Sequence, residues 1–187
     1  MDKIPAYAQL NARIKPLQRG EWFEDPLAEA FEQNGFGEVT GGGTLQREKG
    51  GEIIYCGIDI DFPDIVRGVP FVCDFLTGKD APKGSKLLYE NEGRKIEVPF
   101  GEVEGLAIYL NGTDLPEAVY RSNDVNELVD QVLRLLGKCG ALQGYWEGPR
   151  ETALYLYGQS AEEMQRLLAA LLAEHPLCQR SRVIRIA

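Results

Sequence analysis

Two halves of this chain can be written one above the other, and that repetition limits the possible folds more than any other feature. "GEVTGG" (37–42) falls over "GALQGY" (140–145), "EIIYCG" (52–57) over "TALYLYG" (152–158), and "KGSKLLYE" over "QRSRVIRI". A repeat of this length asks each half to bury its apolar residues with the same elements in the same order.

The later half shows that order most clearly. "EGLAIYLNG" (104–112) is apolar, rich in strand formers and closed by Asn-Gly, as a strand is. In "RSNDVNELVDQVLRLLGKCG", Val125, Leu128, Val129, Val132, Leu135 and Leu136 recur at helical spacing, with caps at 122–124 and a stop at Gly137. "ALQGYWEGPRETALYLYG" reads as two strands around a turn. "SAEEMQRLLAALLAEHP" is a second helix, with Ser160 and Glu163 as a capping box and Pro176 at its end. "RSRVIRIA" is the last strand. This is β-α-β-β-α-β, the ferredoxin-like order.

The earlier half repeats it more faintly. Strands are expected over 6–14, in "GEVTGGGTLQ", in "EIIYCGIDIDF" and over 85–90, and a helix over 24–35. The helix in "PDIVRGVPFVCDFLTG" should be short or broken by Gly68 and Pro70. The expectation is an α+β protein of two ferredoxin-like (βαββαβ) units with antiparallel sheets. The first spans residues 1–90 and the second 104–187, with 91–103 as a connector able to add a strand.

Composition sets the class of partner. Acidic residues number 29 against 20 basic, a net charge of −9, and the excess is shared: 17 against 12 up to residue 100, then 12 against 8. Such a surface repels phosphate backbones, so no nucleic acid is expected, whereas a basic protein partner suits it. No apolar run is long enough to span a membrane. The start, "MDKIPAYAQLNARIKP", lacks a basic end followed by an apolar run. Cys56, Cys73, Cys139 and Cys178 contain no Cys-x-x-Cys pair. A cytoplasmic protein with reduced thiols and no cofactor is expected.

The residues that invite a chemical reading start with Gly41, Gly42 and Gly43. A phosphate-cradling loop would run into a helix N-terminus with a Lys and a Ser or Thr, but "GGGT" runs into a turn and a strand. Tyr145 and Trp146 replace Gly42 and Gly43 in the second half. A position that takes glycine or an aromatic suits a bulge or a close approach. Gly41, opposite Gly144, should then tolerate a side chain least and Gly43 most. Asp59 and Asp61 share one strand face and, with Glu52, could hold Mg2+ or Ca2+, but the oxygen set is thin and a solvent face explains them. No metal is expected. His175, the sole histidine, closes a helix, and Cys178 nearby lacks an orienting third group. No catalytic residue emerges. Trp22 and Trp146, beside turns, suit interface anchors or lids over a core end.

"EVTGGGT", "GEIIYCGIDI" and "APKGS" in the first half, with "ALYLYG" and "CQRSRVIRI" in the second, resemble an uncharacterised bacterial family of duplicated ferredoxin-like proteins. In size, acidity and want of catalytic residues the chain is also similar in type to immunity proteins that neutralise bacterial toxins. That likeness implies a non-enzymatic protein-binding module. It identifies no functional residue; read from the residues themselves, Trp22, Gly41, Gly42, Gly43, Asp59, Asp61, Tyr145 and Trp146 are the candidate binding residues. The rival expectation is a small-molecule binder or enzyme with a site in a cleft between the units.

Overall fold

The computed structural model describes residues 3–187. Contacts divide the chain into two units, one running to Arg47 and resuming over Ile53–Glu102, the other made of Glu48–Glu52 with Val103–Ala187.

In the first unit the strands are β1 (Ile4–Leu10), β2 (Glu38–Gln46), β3 (Ile53–Phe62), β4 (Ser85–Asn91) and β5 (Arg94–Phe100). They form one sheet in the order β2-β3-β1-β4-β5, every neighbour antiparallel. Strand periodicity sorts the side chains. Ala6, Ala8 and Leu10 of β1 and Cys56, Ile58, Ile60 and Phe62 of β3 face the core. Helices α1 (Pro16–Arg19), α2 (Asp25–Asn34) and α3 (Ile65–Gly78) follow the chain order. Leu27 and Phe31 of α2, and Val69, Val72 and Leu76 of α3, complete that core. Each fully buried aliphatic or aromatic side chain contributes about 1.5–3 kcal/mol.

Two features depart from the sequence expectation. The first strand stops at Leu10, and the chain then winds through α1 and a π-helical turn, Gly20–Glu24, before α2. Next, α3 is a single unbroken 14-residue helix. Gly68, expected to break it, lets the helix touch the sheet: a Cβ there would lie 2.3 Å from the ring of Phe62 and 2.8 Å from the Phe36 carbonyl. Pro70 forfeits one backbone bond, which the apolar face of α3 outweighs by packing on the core. The connector, by contrast, supplies the extra strand it was able to add: residues 94–100 form β5 across a two-residue turn. Glu92 and Gly93 both have positive φ (50° and 74°), as a tight antiparallel hairpin requires. Glutamate at the first of those positions hid the turn.

The second unit contains β6 (Glu104–Asn111), α4 (Glu117–Ser122), α5 (Val125–Leu136), β7 (Gly140–Glu147), β8 (Glu151–Gly158), α6 (Ala161–Glu174) and β9 (Arg182–Arg185). Its sheet order is β7-β8-β6-β9, again antiparallel throughout. Leu128, Val132 and Leu136 of α5 and Met164 and Leu168 of α6 pack on Leu106, Ile108, Leu154 and Leu156. The opposite face is buried too, through Ala107, Tyr109, Ala153, Tyr155 and Tyr157. Asp124 caps α5 by accepting from the Asn126 amide at 2.8 Å. At α6 the Ser160 hydroxyl accepts from the Glu163 amide (3.2 Å), as the capping box demands. The reciprocal half is absent, since the Glu163 carboxylate pairs with Arg166; the next amide, that of Ala161, donates to buried Glu104 at 2.8 Å.

Candidate functional site

The alternation that turns Ile58 and Ile60 into the core turns Tyr55, Gly57, Asp59 and Asp61 to the other face of the first sheet, with Pro5, Tyr7 and Gln9 of β1 beside them. The helices of this unit pack on the opposite side. Tyr7 is opposite Asp59 in register, and its ring lies across Gly57. A Cβ at Gly57 would fall 2.3 Å from the tyrosine Cζ and hydroxyl oxygen. Partial burial raises the Tyr7 phenol above its ordinary range, with Tyr55 and Asp59 adding to the shift. One strand over, Gly41 pairs with Asp59 and Gly43 with Gly57. A Cβ at Gly43 would have nothing within 4 Å, and one at Gly41 would meet only the Asp59 carboxylate, at 3.5 Å. Asp59 itself is exposed. Lys3 pairs with Glu38 and also senses Asp61, so those two acids are partly offset.

Gly42 faces the other way, for a separate reason. The π turn bonds the Asp25 amide to the Gly20 carbonyl, five residues back, and so stacks Arg19 over Glu24. The Arg19 Nε donates to Glu24 at 2.6 Å, its second nitrogen donates to the Thr44 hydroxyl at 2.8 Å, and Arg19 is only 8% exposed. This pair occupies the space above Gly42. A Cβ there would lie 2.0 Å from the Glu24 carboxylate, 2.8 Å from the Gly57 carbonyl and 3.1 Å from Arg19 Nε. The glycine that least tolerates a side chain is therefore Gly42, not Gly41. None of the three has a positive φ, so close approach rather than backbone conformation is the cause.

The second unit has the same bulge at the same place. Register slips between Val39 and Gly41 in β2 and between Leu142 and Gly144 in β7. Counting from the bulge, Gly41–Asp59 corresponds to Gly144–Tyr155, and Gly43–Gly57 to Trp146–Ala153. The alignment of 52–57 over 152–158 is thus displaced by four residues in β3, because the first hairpin is longer. Trp146 packs against the cluster that contains Tyr109, Ala153 and Tyr155, its ring lies over Gly148 and Gly50, and its Nε1 donates to the Gly50 carbonyl at 2.7 Å. Its neighbour Tyr145 is exposed. Glu52, in the same short segment as Gly50, is buried and accepts from the Tyr109 and Tyr155 hydroxyls, the latter at 2.9 Å. It therefore does not join Asp59 and Asp61. Among the described residues, no three His, Cys, Asp or Glu side chains gather as a metal site would require.

The remaining candidates have structural employment. Burial pushes the Cys56 thiol up to about 12 and those of Cys73 and Cys178 up to about 11, far from a reactive thiolate. His175 accepts from the Leu177 amide at 3.2 Å through Nδ1, capping a short 3-10 turn, Pro176–Cys178. Trp22 stands in the π turn, 36% exposed. A shallow depression of about 560 Å3 opens at the start of α5 between Tyr120, Asn123, Asp124 and Leu177. Within the first unit the geometry thus brings Gly41, Gly43, Asp59 and Asp61 together on one face with Tyr7, Tyr55 and Gly57, and leaves Trp22 and Gly42 off it; Tyr145 and Trp146 belong to the second unit. Tyr7 and Gly57 escaped the sequence reading. The signal available was the alternation of β1 and β3, which sets a tyrosine and a glycine on the same outward face.

In class this is an α+β protein with two antiparallel sheets, each in the ferredoxin-like order. No protein-family model matches the chain, and no curated protein matches it. Among solved structures it is similar to a candidate monooxygenase of Fusobacterium nucleatum subsp. nucleatum, at 7% identity over 98% of this chain and 91% of that one, with a TM-score of 0.30. It is also similar to the first two RRM domains of yeast poly(U) binding protein (8% identity, 98% and 99% coverage, TM-score 0.26). A third is an anthrone oxidase-like protein (10% identity, 100% and 94% coverage, TM-score 0.23). At these scores no residue role or activity passes from them to this chain.

Proposed function

We propose that the protein is a non-catalytic, acidic binding module that acts in the cytoplasm on a basic protein, in the manner of an immunity or antitoxin protein. The observation that carries this reading is the net charge of −9, shared by both halves of the chain. An excess of that size draws a basic partner by long-range attraction and discourages nucleic acid. Supporting it, the side chains best suited to nucleophilic or acid-base work are committed to packing or capping: three thiols lie buried, and the sole imidazole holds a turn. Helices long and apolar enough to cross a membrane are absent among the described residues.

The test is affinity capture with the full chain from its native host at low salt, followed by elution at about 1 M salt, where the Debye length falls to about 3 Å. One basic protein should be retained stoichiometrically, leave in the salt step, and lose its own activity when mixed with the purified chain. Retention of an acidic protein or of nucleic acid, or a captured protein whose activity is unaffected, would overturn the reading.

A further inference from the structure

The tip of the β2–β3 hairpin is longer than its counterpart between β7 and β8. In the β7–β8 hairpin the last pair, Glu147 with Thr152, is closed by 148–151, where the Gly148 amide donates to the Glu151 carbonyl at 2.8 Å. In the β2–β3 hairpin the last pair is Gln46 with Ile53, and 47–52 lie between. Pairing two strands beyond this bulge therefore does not call for the longer tip. Its middle, Glu48–Glu52, groups with the second unit, while Arg47 and Ile53 on either side group with the first. Glu48, Lys49, Gly50 and Gly51 are exposed, whereas Glu52 is only 6% exposed.

Burying a carboxylate costs free energy unless donors meet it. Here two buried tyrosines of the sheet face opposite the helices, Tyr109 of β6 and Tyr155 of β8, donate to the same Glu52 oxygen. A second anchor holds the backbone. The Gly50 carbonyl accepts from Trp146 Nε1, and the indole lies 3.1 Å from where a Gly50 Cβ would be. Gly50 and Gly51 both have positive φ (89° and 67°), which turns the chain between the two anchors. Arg182 lies over the Tyr109 ring, and its guanidinium is held protonated first by Glu151 and then by Tyr109 and Glu52.

We propose that Glu48–Glu52 is a clasp of the second unit: docked, it closes the tyrosine face, and released, it loosens that unit's sheet while the first unit's sheet keeps its stability. An event at the exposed tip, whether a protein seated on it or a cut in it, is then felt in β6 and β8.

Native-state hydrogen exchange of the 15N-labelled full chain tests this, with the amides of β1 and β4 reporting the first sheet and those of β6 and β8 the second. Two variants undo the clasp. One replaces 47–52 by a copy of 148–151, and the other, Glu52→Leu, removes the acceptor that the two hydroxyls share. Each should speed exchange in β6 and β8 by about tenfold or more and leave β1 and β4 within about twofold. The Trp146 indole proton should lose its protection in the graft. Glu52→Gln keeps one oxygen as acceptor and should retain most of the protection in β6 and β8; Lys49→Ala, at the exposed tip, should change nothing. Faster exchange confined to β2 and β3 would reduce the tip to an ordinary loop and overturn the proposal. Equal acceleration in both sheets, or none in either, would overturn it too. If the graft does not fold, Glu52→Leu beside Glu52→Gln decides, and loss of the first sheet in Glu52→Leu counts against the clasp.

Discussion

Three neighbouring glycines behave as three different residues, because strand alternation and one bulge give each its own surroundings. Gly42 lies under the partly buried Arg19–Glu24 pair, whose side chains are 10% and 19% exposed. Gly42→Ala should therefore cost about 1–3 kcal/mol, by displacing Glu24 from Arg19 or by shifting β2 off the Gly57 carbonyl. Gly43→Ala meets open space at an ordinary φ and should be neutral or stabilise by about 0.4–1 kcal/mol through the unfolded chain. Urea unfolding of both variants beside the parent measures the contrast, and equal midpoints would refute it. The sequence reading expected Gly43 to be the tolerant position, and the space beside it is open. It assigned the intolerant one to Gly41 because the repeat pairs glycine with glycine there, and no alignment of halves reveals an arginine arriving from a π turn.

At the scale of elements, short and edge pieces are held by polar side chains rather than by area. Strand β9 has four residues, and Arg182 reaches from it over the Tyr109 ring, 3.6 Å from its centroid, to a two-bond pair with Glu151 of β8. The hydrogen bond from Arg182, reinforced by its charge, lowers the Glu151 carboxyl below its usual 4.5. A carboxyl lowered on folding stabilises the native state above its unfolded value and loses that contribution as pH falls through the folded one. Glu151→Gln should thus be less stable than the parent above about pH 5, and the gap should close below pH 4.5. Guanidinium chloride is unsuitable here because it screens the pair; urea melts across pH are the measurement. At α6, Ser160→Ala should cost about 1 kcal/mol, since the hydroxyl satisfies the Glu163 amide. Glu163→Ala should cost less, because that side chain pairs with Arg166 on an exposed surface and does not close the box. Thermal unfolding of the two variants ranks them, and a larger loss for Glu163→Ala would contradict the capping described here.

For the whole molecule, the distribution of thiols gives a global test of packing. Cys56, Cys73 and Cys178 are buried and Cys139 is exposed. At pH 8 the native chain should react rapidly with one equivalent of a thiol reagent, and with four once unfolded; two or more fast equivalents would mean that a core is open. The sequence by itself determined the ferredoxin-like order of the main strands and helices, the duplication, the α+β class and the main helix faces, because periodicity, caps and turn residues act over a few neighbours. It also placed Asp59 outward, since alternation in a strand is local. The tertiary structure alone decided that α3 runs through Pro70, where burial of a whole face outweighs one lost backbone bond. It also decided where the strand allowed for in 91–103 pairs, by supplying the free edge of β4 as the partner of residues 94–100. It alone drew Glu52 away from Asp59 and Asp61 to two tyrosines more than fifty residues distant, and laid Tyr7 over Gly57. Each of these depends on contacts between residues far apart in the chain, whose cost and gain are settled only when the sheets close.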